Sequence, residues 1–288
     1  MKHNMLQDRV AIITGGHKGI GREIALSFGR EGCRLVLIAR DESALRDTAA
    51  FIQKETGAEV LVFAVDVTQH TALEAMARAV TARFQRIDIL VNAAAIVGPI
   101  GPFETCDEAE WEKTISVNVL GTYAAMRSVI PTMIAQHSGT IINFAGGGAF
   151  GARERFSAYS VSKAAVVRLT DAAARELGGY GITVNGISPG QVNTEMFHTM
   201  VAAGREKIGE KGWAEFEQRK QTGGDPIGEV ARFALFLVSE EGRKITGRVM
   251  SVQWDPWEHL PRYVDELMAS DIYTMRRITP KDYGKHWT

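Results

Sequence analysis

The sequence predicts an α/β fold: a single doubly wound parallel sheet of about seven strands with helices on both faces. Two observations predict it. Short apolar runs rich in β-branched residues alternate with longer amphipathic stretches along most of the chain. These runs are also nearly continuous in apolar character, as parallel strands covered on both faces require. No repeat or Pro/Gly/Ser-rich linker divides the 288 residues, so we expect one domain over residues 1–252 and a C-terminal extension over 253–288.

The elements follow one another in strand–helix order. Strands are predicted at Val10–Thr14, Leu35–Ala39, Val60–Asp66, Ile87–Asn92, Thr140–Phe144, Thr183–Ile187 and Val249–Val252. Helices are predicted at Gly21–Glu31, Glu42–Thr56, Leu73–Phe84, Glu108–Gln136, Ala158–Leu177 and Ile227–Ser239. The pattern weakens over residues 191–225, where we expect a loop with helical pieces.

The extension after residue 252 is rich in aromatic residues, which are costly to leave in water. They are Trp254, Trp257, Tyr263, Tyr273, Tyr283 and Trp287. We therefore expect residues 253–288 to pack on the body of the domain or on a neighbouring subunit.

Composition disfavours several classes of function. The formal net charge is −1, which favours neither nucleic acid nor an anionic membrane as a partner. Cys33 and Cys106 have no CxxC spacing and no nearby histidine cluster, so we expect no metal site. The first residues show no signal-peptide pattern and no apolar run approaches the roughly 18 residues of a membrane span. We expect a cytoplasmic location.

A glycine-rich segment, residues 14–21, lies between the first predicted strand and the first predicted helix. Glycine lets a chain turn tightly and approach a pyrophosphate without a Cβ in the way, and the following helix directs free N–H groups at the phosphates. This placement predicts a Rossmann-type dinucleotide site. The residues expected to contact the cofactor here are Thr14, Gly15, Lys18, Gly19, Ile20 and Gly21.

The end of the second strand favours NADP(H) over NAD(H). NAD sites commonly carry an acidic residue there for the ribose 2′-hydroxyl, but Ala39 stands at that place. Arg40 follows and offers a planar fork to a 2′-phosphate. Lys18 adds a second positive charge from the glycine loop.

The motifs, taken in order, resemble those of the short-chain dehydrogenase/reductase family. The glycine loop matches T-G-x-x-x-G-x-G, and Asn92-Ala93-Ala94-Ala95 is similar to the family's N-N-A-G with two residues changed. Asp66 and Val67 stand where the family contacts adenine. A later segment resembles the one that closes over the nicotinamide. The cofactor contacts that the resemblance adds are Asp66, Val67, Asn92, Ala94, Tyr159, Lys163, Pro189, Gly190, Val192 and Thr194.

Three residues match the family's catalytic positions: Asn118 in V-N-V-L-G, Tyr159 and Lys163. Tyr159 and Lys163 are four apart on a predicted helix and so share a face. A nearby ammonium lowers a phenol's pKa from its usual value near 10. The resemblance implies that Tyr159 exchanges a proton with the substrate oxygen, that Lys163 binds the nicotinamide ribose, and that Asn118 holds a water linking Lys163 to solvent.

One member of the family's set is missing. The resemblance implies a serine about thirteen residues before the tyrosine, but residues 145–148 read Ala-Gly-Gly-Gly. Losing such a hydrogen-bond donor typically costs about 100- to 1,000-fold in rate. Three alternatives remain open at this point. A backbone N–H of residues 146–148 replaces the hydroxyl; a polar group of the substrate or of Arg153, Arg155 or Ser157 fills the gap; or the protein binds cofactor and catalyses poorly.

We therefore expect an NADP(H)-dependent oxidoreductase that interconverts a carbonyl and a secondary alcohol on a polar small molecule. The alternative is an NADP(H)-binding sensor or a redox-neutral enzyme of epimerase or dehydratase type. We expect specificity from residues 148–156, 191–224 and the extension. Candidate contacts are Phe150, Phe156, His198 and Trp213. The resemblance also implies a homodimer or homotetramer formed through the helices that contain Asn118 and Tyr159.

Overall fold

Seven strands form one parallel sheet in the order β3-β2-β1-β4-β5-β6-β7. The structure, a computed structural model, describes residues 4–285, so Trp287 of the predicted aromatic set lies outside the described residues. The strands are β1 Val10–Thr14, β2 Arg34–Ala39, β3 Val60–Ala64, β4 Ile89–Asn92, β5 Gly139–Phe144, β6 Ile182–Ser188 and β7 Val249–Ser251. The predicted doubly wound α/β fold is confirmed.

Helices cover both faces of the sheet. They are α1 Gly19–Arg30, α2 Glu42–Thr56, α3 His70–Phe84, α4 Glu108–Ile115, α5 Gly121–Gln136, α6 Ser157–Leu177, α7 Glu195–Ala202, α8 Gly204–Ile208, α9 Glu210–Thr222, α10 Ile227–Val238 and α11 Val264–Met268. The buried side chains of α1, α2 and α10 belong to one core cluster, and those of α3, α5 and α6 to another. Strand β1 shows why: Ala11 and Ile13 join the first cluster, while Val10 and Ile12 join the second, because successive side chains of a strand point to opposite faces.

Most of the predicted elements differ from the observed ones by a few residues at one or both ends, and three differences have a clear structural basis. Strand β3 ends at Ala64 rather than Asp66, because the Asp66 carboxylate accepts hydrogen bonds from the N–H and hydroxyl of Thr68 and begins a turn. The helix predicted over 108–136 is interrupted by a π-helical turn at Ser116–Leu120. Residues 191–225 hold the three helices α7, α8 and α9 rather than a loop with helical pieces.

The strand register aligns three polar residues at the carboxyl edge of the sheet. Thr14 of β1 pairs with Asn92 of β4, and Asn92 pairs with Asn143 of β5. Asn92 Nδ2 donates to Asn143 Oδ1 at 2.9 Å, and Asn143 Nδ2 donates to the Thr170 hydroxyl at 2.9 Å. These buried bonds tie β4, β5 and α6 together at the edge where ligands bind in open α/β sheets.

The C-terminal extension packs along β7, which is an edge strand of the sheet. Val249 N–H donates to the Tyr273 carbonyl at 2.9 Å, so the extension covers backbone groups that an edge strand would expose. Trp257, Leu260 and Leu267 are buried in the core cluster of α1 and α10. Trp254, in contrast, is 78% exposed. The domain boundary at residue 252 itself stays a prediction.

The described residues contain neither a membrane-spanning helix nor a cluster of metal-ligating side chains. Across residues 4–285, no helix has the length and apolar character needed to cross a membrane. In the same part of the chain, no group of three or more His, Cys, Asp or Glu residues is arranged to hold a metal ion.

Replacing Trp257 by alanine is expected to lower the free energy of unfolding by about 3–5 kcal/mol, the usual cost of removing a large core aromatic. Its ring lies 4.9 Å from that of Phe233 and 5.9 Å from that of Phe236, and its Nε1 donates to the Val252 carbonyl at 3.2 Å. Urea unfolding measures the change. The control is Trp254→Ala, which removes an exposed ring of the same segment and should change stability little; equal effects of the two substitutions would contradict a core role for the extension.

Candidate functional site

Two adjoining cavities open at the carboxyl edge of the sheet, with volumes of about 750 and 470 Å³. They share the lining residues Ile20, Ala93, Ala95, Thr194 and Met196, so they form one continuous groove. The larger cavity is lined by the predicted cofactor residues Gly15, Lys18, Gly19, Ile20, Gly21, Arg40, Asp66, Val67, Ala94 and Thr194. The smaller cavity is lined by the predicted residues Tyr159, Lys163, Pro189, Gly190, Val192 and Thr194.

The glycine loop packs closely against neighbouring backbone, which leaves no space for side chains at two of its positions. Gly15 has φ +67°, and a Cβ there would come within 2.9 Å of the Ala94 nitrogen; a Cβ on Gly21 would come within 2.5 Å of the Gly15 carbonyl oxygen. Helix α1 starts at Gly19, and its N-cap residue Lys18 makes no side-chain capping bond. The first N–H groups of the helix are thus left to a ligand. These features fit the pyrophosphate of a dinucleotide.

Both cations predicted to bind a 2′-phosphate lie beside carboxylates. Lys18 Nζ lies 2.7 Å from Glu195 Oε2, and Arg40 Nε lies 4.0 Å from Asp66 Oδ2. The sequence analysis did not identify Glu195, because α7 reaches the glycine loop only in the folded chain. The pKa of Glu195 is lowered, first by the hydrogen bond from Lys18. Asp41, beside Arg40, caps α2 by accepting from Ala44 N–H at 3.0 Å.

Three predicted site residues, Thr14, Asn92 and Asn118, do not line either cavity. Thr14 and Asn92 are buried at the strand ends. The Thr14 hydroxyl accepts from Ala94 N–H at 3.1 Å, and Asn92 bonds to Asn143. Their side chains hold neighbouring segments at this edge of the sheet, and their contact with the cofactor stays a prediction.

Asn118 stands in the π-helical turn, a feature often found at functional sites. Its Oδ1 accepts from Ile96 N–H at 2.8 Å, and its Nδ2 donates to the Ile96 carbonyl at 2.8 Å and to the Ser162 hydroxyl at 2.9 Å. Both amide donors are therefore used. The side chain positions the loop after β4 against α6. The role of Asn118 in holding a water that links Lys163 to solvent stays a prediction.

Tyr159 and Lys163 meet on one face of α6, with Lys163 Nζ 5.6 Å from the centre of the Tyr159 ring. Lys163 is buried and donates to the Phe144 carbonyl at 2.9 Å. Burial lowers the pKa of Lys163 to about 8. Burial also raises the pKa of Tyr159 to about 12, against a lowering by Arg153. The expectation that the ammonium lowers the phenol's pKa is thus wrong for this arrangement, in which Lys163 donates to a carbonyl of β5.

The position of the missing serine lies against the tyrosine. Gly146 precedes Tyr159 by thirteen residues, and a Cβ built on it would lie 2.8 Å from Tyr159 Oη. The phenol oxygen therefore occupies part of the space that a side chain at position 146 would take. Of the three side chains suggested as replacements, only Arg153 lines the cavity. Ser157 instead accepts a hydrogen bond from Trp111 Nε1 at 3.3 Å.

The segment 191–225 and the start of the extension also line the smaller cavity, and they supply Arg219, Glu215 and Trp254. The sequence analysis missed Arg219, because no motif or periodic pattern marks it. The four aromatic candidates line neither cavity. Phe156 is buried against Phe216, Trp213 packs on the same cluster, and Phe150 and His198 are exposed on the surface.

The chain is similar in sequence and in structure to known proteins. The family model for short chain dehydrogenase matches residues 9–204. Levodione reductase of Leifsonia aquatica is 34% identical over 249 residues, covering 85% of this chain and 92% of its own. Galactitol 2-dehydrogenase (L-tagatose-forming) of Cereibacter sphaeroides is 36% identical, covering 86% and 94%. NAD-dependent glycerol dehydrogenase of Listeria innocua is 34% identical, covering 84% and 91%. The crystal structure of levodione reductase superposes with a TM-score of 0.79 at 33% identity, covering 85% of this chain and 96% of that chain.

Proposed function

The chain belongs to the short-chain dehydrogenase family of oxidoreductases, and we propose that it uses NADP(H) to interconvert a carbonyl and a secondary alcohol on a polar small molecule. One observation carries the proposal. Tyr159 and Lys163 face a cavity that is continuous with the glycine-loop cavity. A dinucleotide whose pyrophosphate lies at α1 can therefore extend its reactive end to the tyrosine.

Bound NADP(H) supplies or accepts the hydride at the reacting carbon. Tyr159 handles the matching proton at the oxygen: it gives a proton to a carbonyl during reduction and takes one from an alcohol during oxidation. With its pKa raised, Tyr159 carries its proton at neutral pH, which is the form that reduction needs. Lys163, held by the Phe144 carbonyl, is placed to bind the nicotinamide ribose beside it.

The preference for NADP(H) rests on Arg40 and Lys18. No carboxylate stands at the end of β2, where Ala39 is buried. Arg40 is exposed, and its 4.0 Å contact with Asp66 is too long for a hydrogen bond. The pair of Lys18 with Glu195 is exposed to water, which screens such pairs strongly. Both cations are therefore free to turn toward a 2′-phosphate, whose charge-assisted bonds are stronger.

Replacing Arg40 by alanine is expected to weaken NADPH binding by about 10- to 100-fold, the range for losing hydrogen bonds to a charged group. Binding of NADH should change little, because NADH has no 2′-phosphate. Fluorescence titration of each cofactor measures both constants. The control is Arg46→Ala, an exposed arginine of the neighbouring helix that pairs with Glu42. Equal losses for the two cofactors would refute the assignment of Arg40.

Replacing Tyr159 by phenylalanine is expected to lower turnover by at least about 100-fold and to leave cofactor affinity unchanged, because only the proton-bearing oxygen is removed. Cofactor absorbance, followed against a panel of ketones, diketones and keto-sugars, measures turnover. The control is Tyr180→Phe, which alters an exposed tyrosine just beyond the end of α6. Full activity in Tyr159→Phe would contradict the proposed proton transfer.

A second candidate function follows from Gly146, which lacks the hydroxyl expected beside the reacting oxygen. It is a redox-neutral reaction of epimerase or dehydratase type, or an NADP(H) sensor. The panel of ketones, diketones and keto-sugars distinguishes this second candidate from the proposed oxidoreductase. Tight NADPH binding without consumption on any carbonyl favours the second candidate, and consumption on one compound favours the first.

We also propose a homodimer or homotetramer. The π-helical turn and α5 expose Leu120 and Tyr123, and α6 exposes Val161. Exposed apolar side chains on these helices suit a subunit contact. Light scattering of the purified protein measures the mass in solution, and a monomer would count against this assembly.

A further inference from the structure

Arg153 lies in the wall of the smaller cavity, in the same lining as Tyr159. Its guanidinium carbon is 4.4 Å from the centre of the Phe156 ring and 5.1 Å from that of Phe216. The side chain is only 25% exposed. The aromatic rings fix the plane of the guanidinium and remove it from most of the solvent.

The donors of this guanidinium are unused within the protein. Its nearest carboxylate oxygen, Oε2 of Glu215, is 3.7 Å from Nη2. A charge-assisted hydrogen bond of arginine is normally about 2.7–2.9 Å long. Among the hydrogen bonds of residues 4–285, none has the Arg153 side chain as its donor. Glu215 therefore offsets part of the charge of Arg153 without forming a hydrogen bond, and the N–H groups of the guanidinium are left to water or to a partner from outside the chain.

Arg219 reinforces the positive charge of the same cavity. Its Nε donates to Asn193 Oδ1 at 2.9 Å and its Nη2 donates to the Val192 carbonyl, while its guanidinium carbon lies 3.8 Å from the centre of the Phe197 ring. Burial lowers its pKa to about 10, so it remains a cation at neutral pH. Its hydrogen bonds are to neutral oxygens, and Asp225, which lines neither cavity, compensates part of its charge.

The charged residues of this cavity do not balance. Three cations, Arg153, Lys163 and Arg219, face one carboxylate, Glu215. In a confined cavity the attraction for an anion is stronger than on an open surface. This imbalance, together with the unused fork of Arg153, indicates an anionic group on the substrate.

We propose that the substrate carries an anionic oxygen group, a carboxylate or a phosphate, near its reacting carbonyl or alcohol, and that Arg153 binds this group. The proposal rests on the proposed function and names its substrate class as small oxo acids, hydroxy acids or their phosphate counterparts. Arg153 Nη1 lies 3.9 Å from where a Cβ on Gly147 would stand. The anion is thus bound beside the glycine run that replaces the family's serine, and within the cavity that Tyr159 faces.

The test measures binding without turnover. Calorimetric titrations add acetoacetate, methyl acetoacetate, acetonyl phosphate or acetone to the protein saturated with NADP⁺. Ketone and cofactor are both oxidised, so no hydride transfer occurs. We expect one of the two anions to bind about 10-fold or more tighter than its neutral counterpart. If acetoacetate binds more tightly than methyl acetoacetate, the anionic group of the substrate is a carboxylate. If acetonyl phosphate binds more tightly than acetone, it is a phosphate.

The variants locate the effect. Arg153→Met should remove the preference for the anion, a loss of about 10- to 100-fold in affinity, and Arg153→Lys should keep part of it because the charge remains without the fork. The control is Arg155→Met, which makes the same substitution at a side chain that lines neither cavity. This variant should bind the anion with the affinity of the parent protein. An NADP⁺ titration of each variant shows that its cofactor site is intact.

Two results would overturn the inference: equal affinity of the parent protein for anion and neutral counterpart, or an undiminished preference in a folded Arg153→Met. If Arg153→Met does not fold, the affinities of the parent protein for anion and neutral counterpart, together with those of Arg153→Lys, still test the proposal. Failure of the proposed function gives a different result. Arg153-dependent anion binding with no NADPH consumption on any carbonyl would leave the anion site standing and favour the redox-neutral or sensor candidate over the proposed function. NADPH consumption on neutral ketones alone would support the proposed function and count against the anion site.

Discussion

The order of the strands is the constraint on which the site depends. Strand β1 lies between β2 and β4, so the chain crosses first to one side of β1 and later to the other. Helices α1 and α3 consequently pack in the core clusters of opposite faces, and a crevice opens at the carboxyl ends of β1 and β4. The glycine loop follows β1 and the Ala93–Ala95 segment follows β4, so both border this crevice. The geometry of the cofactor groove is therefore set by strand pairing well before any ligand is involved.

Several of the predicted site residues also hold neighbouring segments of the fold together. The Thr14 hydroxyl accepts from Ala94 N–H, Asn118 bonds to the backbone of Ile96, and Lys163 donates to the Phe144 carbonyl. These contacts join the carboxyl edge of the sheet, the loop after β4 and the helices beside them. A buried polar group that lost its partner would be costly, so these bonds keep the loop after β4 and the N-terminal half of α6 in register with the groove.

The substrate half of the groove is built differently from the cofactor half. Its floor belongs to β5 and α6, but much of its outer wall comes from residues 191–225 and the first residues of the extension. Arginines stacked on aromatic rings, Arg153 on Phe156 and Arg219 on Phe197, give this wall a fixed positive charge. Gly146 and Arg153 line the same cavity as Tyr159. Tyr159 lies on α6 and Arg219 on α9, so the lining of this cavity comes from separate elements of the fold.

The sequence by itself determined the fold class and the glycine loop, because both depend on local properties: continuous apolar runs in buried strands and a turn that glycine permits. It identified the Tyr159–Lys163 pair through the resemblance to the family's motifs, and the helical spacing of four places the two residues on one face. The end of β3 and the π-helical turn at Asn118 were not predicted, since hydrogen bonds such as those of Asp66 to Thr68 decide where β3 ends. Only the tertiary structure decided that Glu195 pairs with Lys18, that Arg219 and Arg153 share one cavity, and that Phe150 and Trp213 stay outside it. Those contacts join segments far apart in the chain, and their partners are set by how α7 and α9 pack against α6, which no local pattern of residues records.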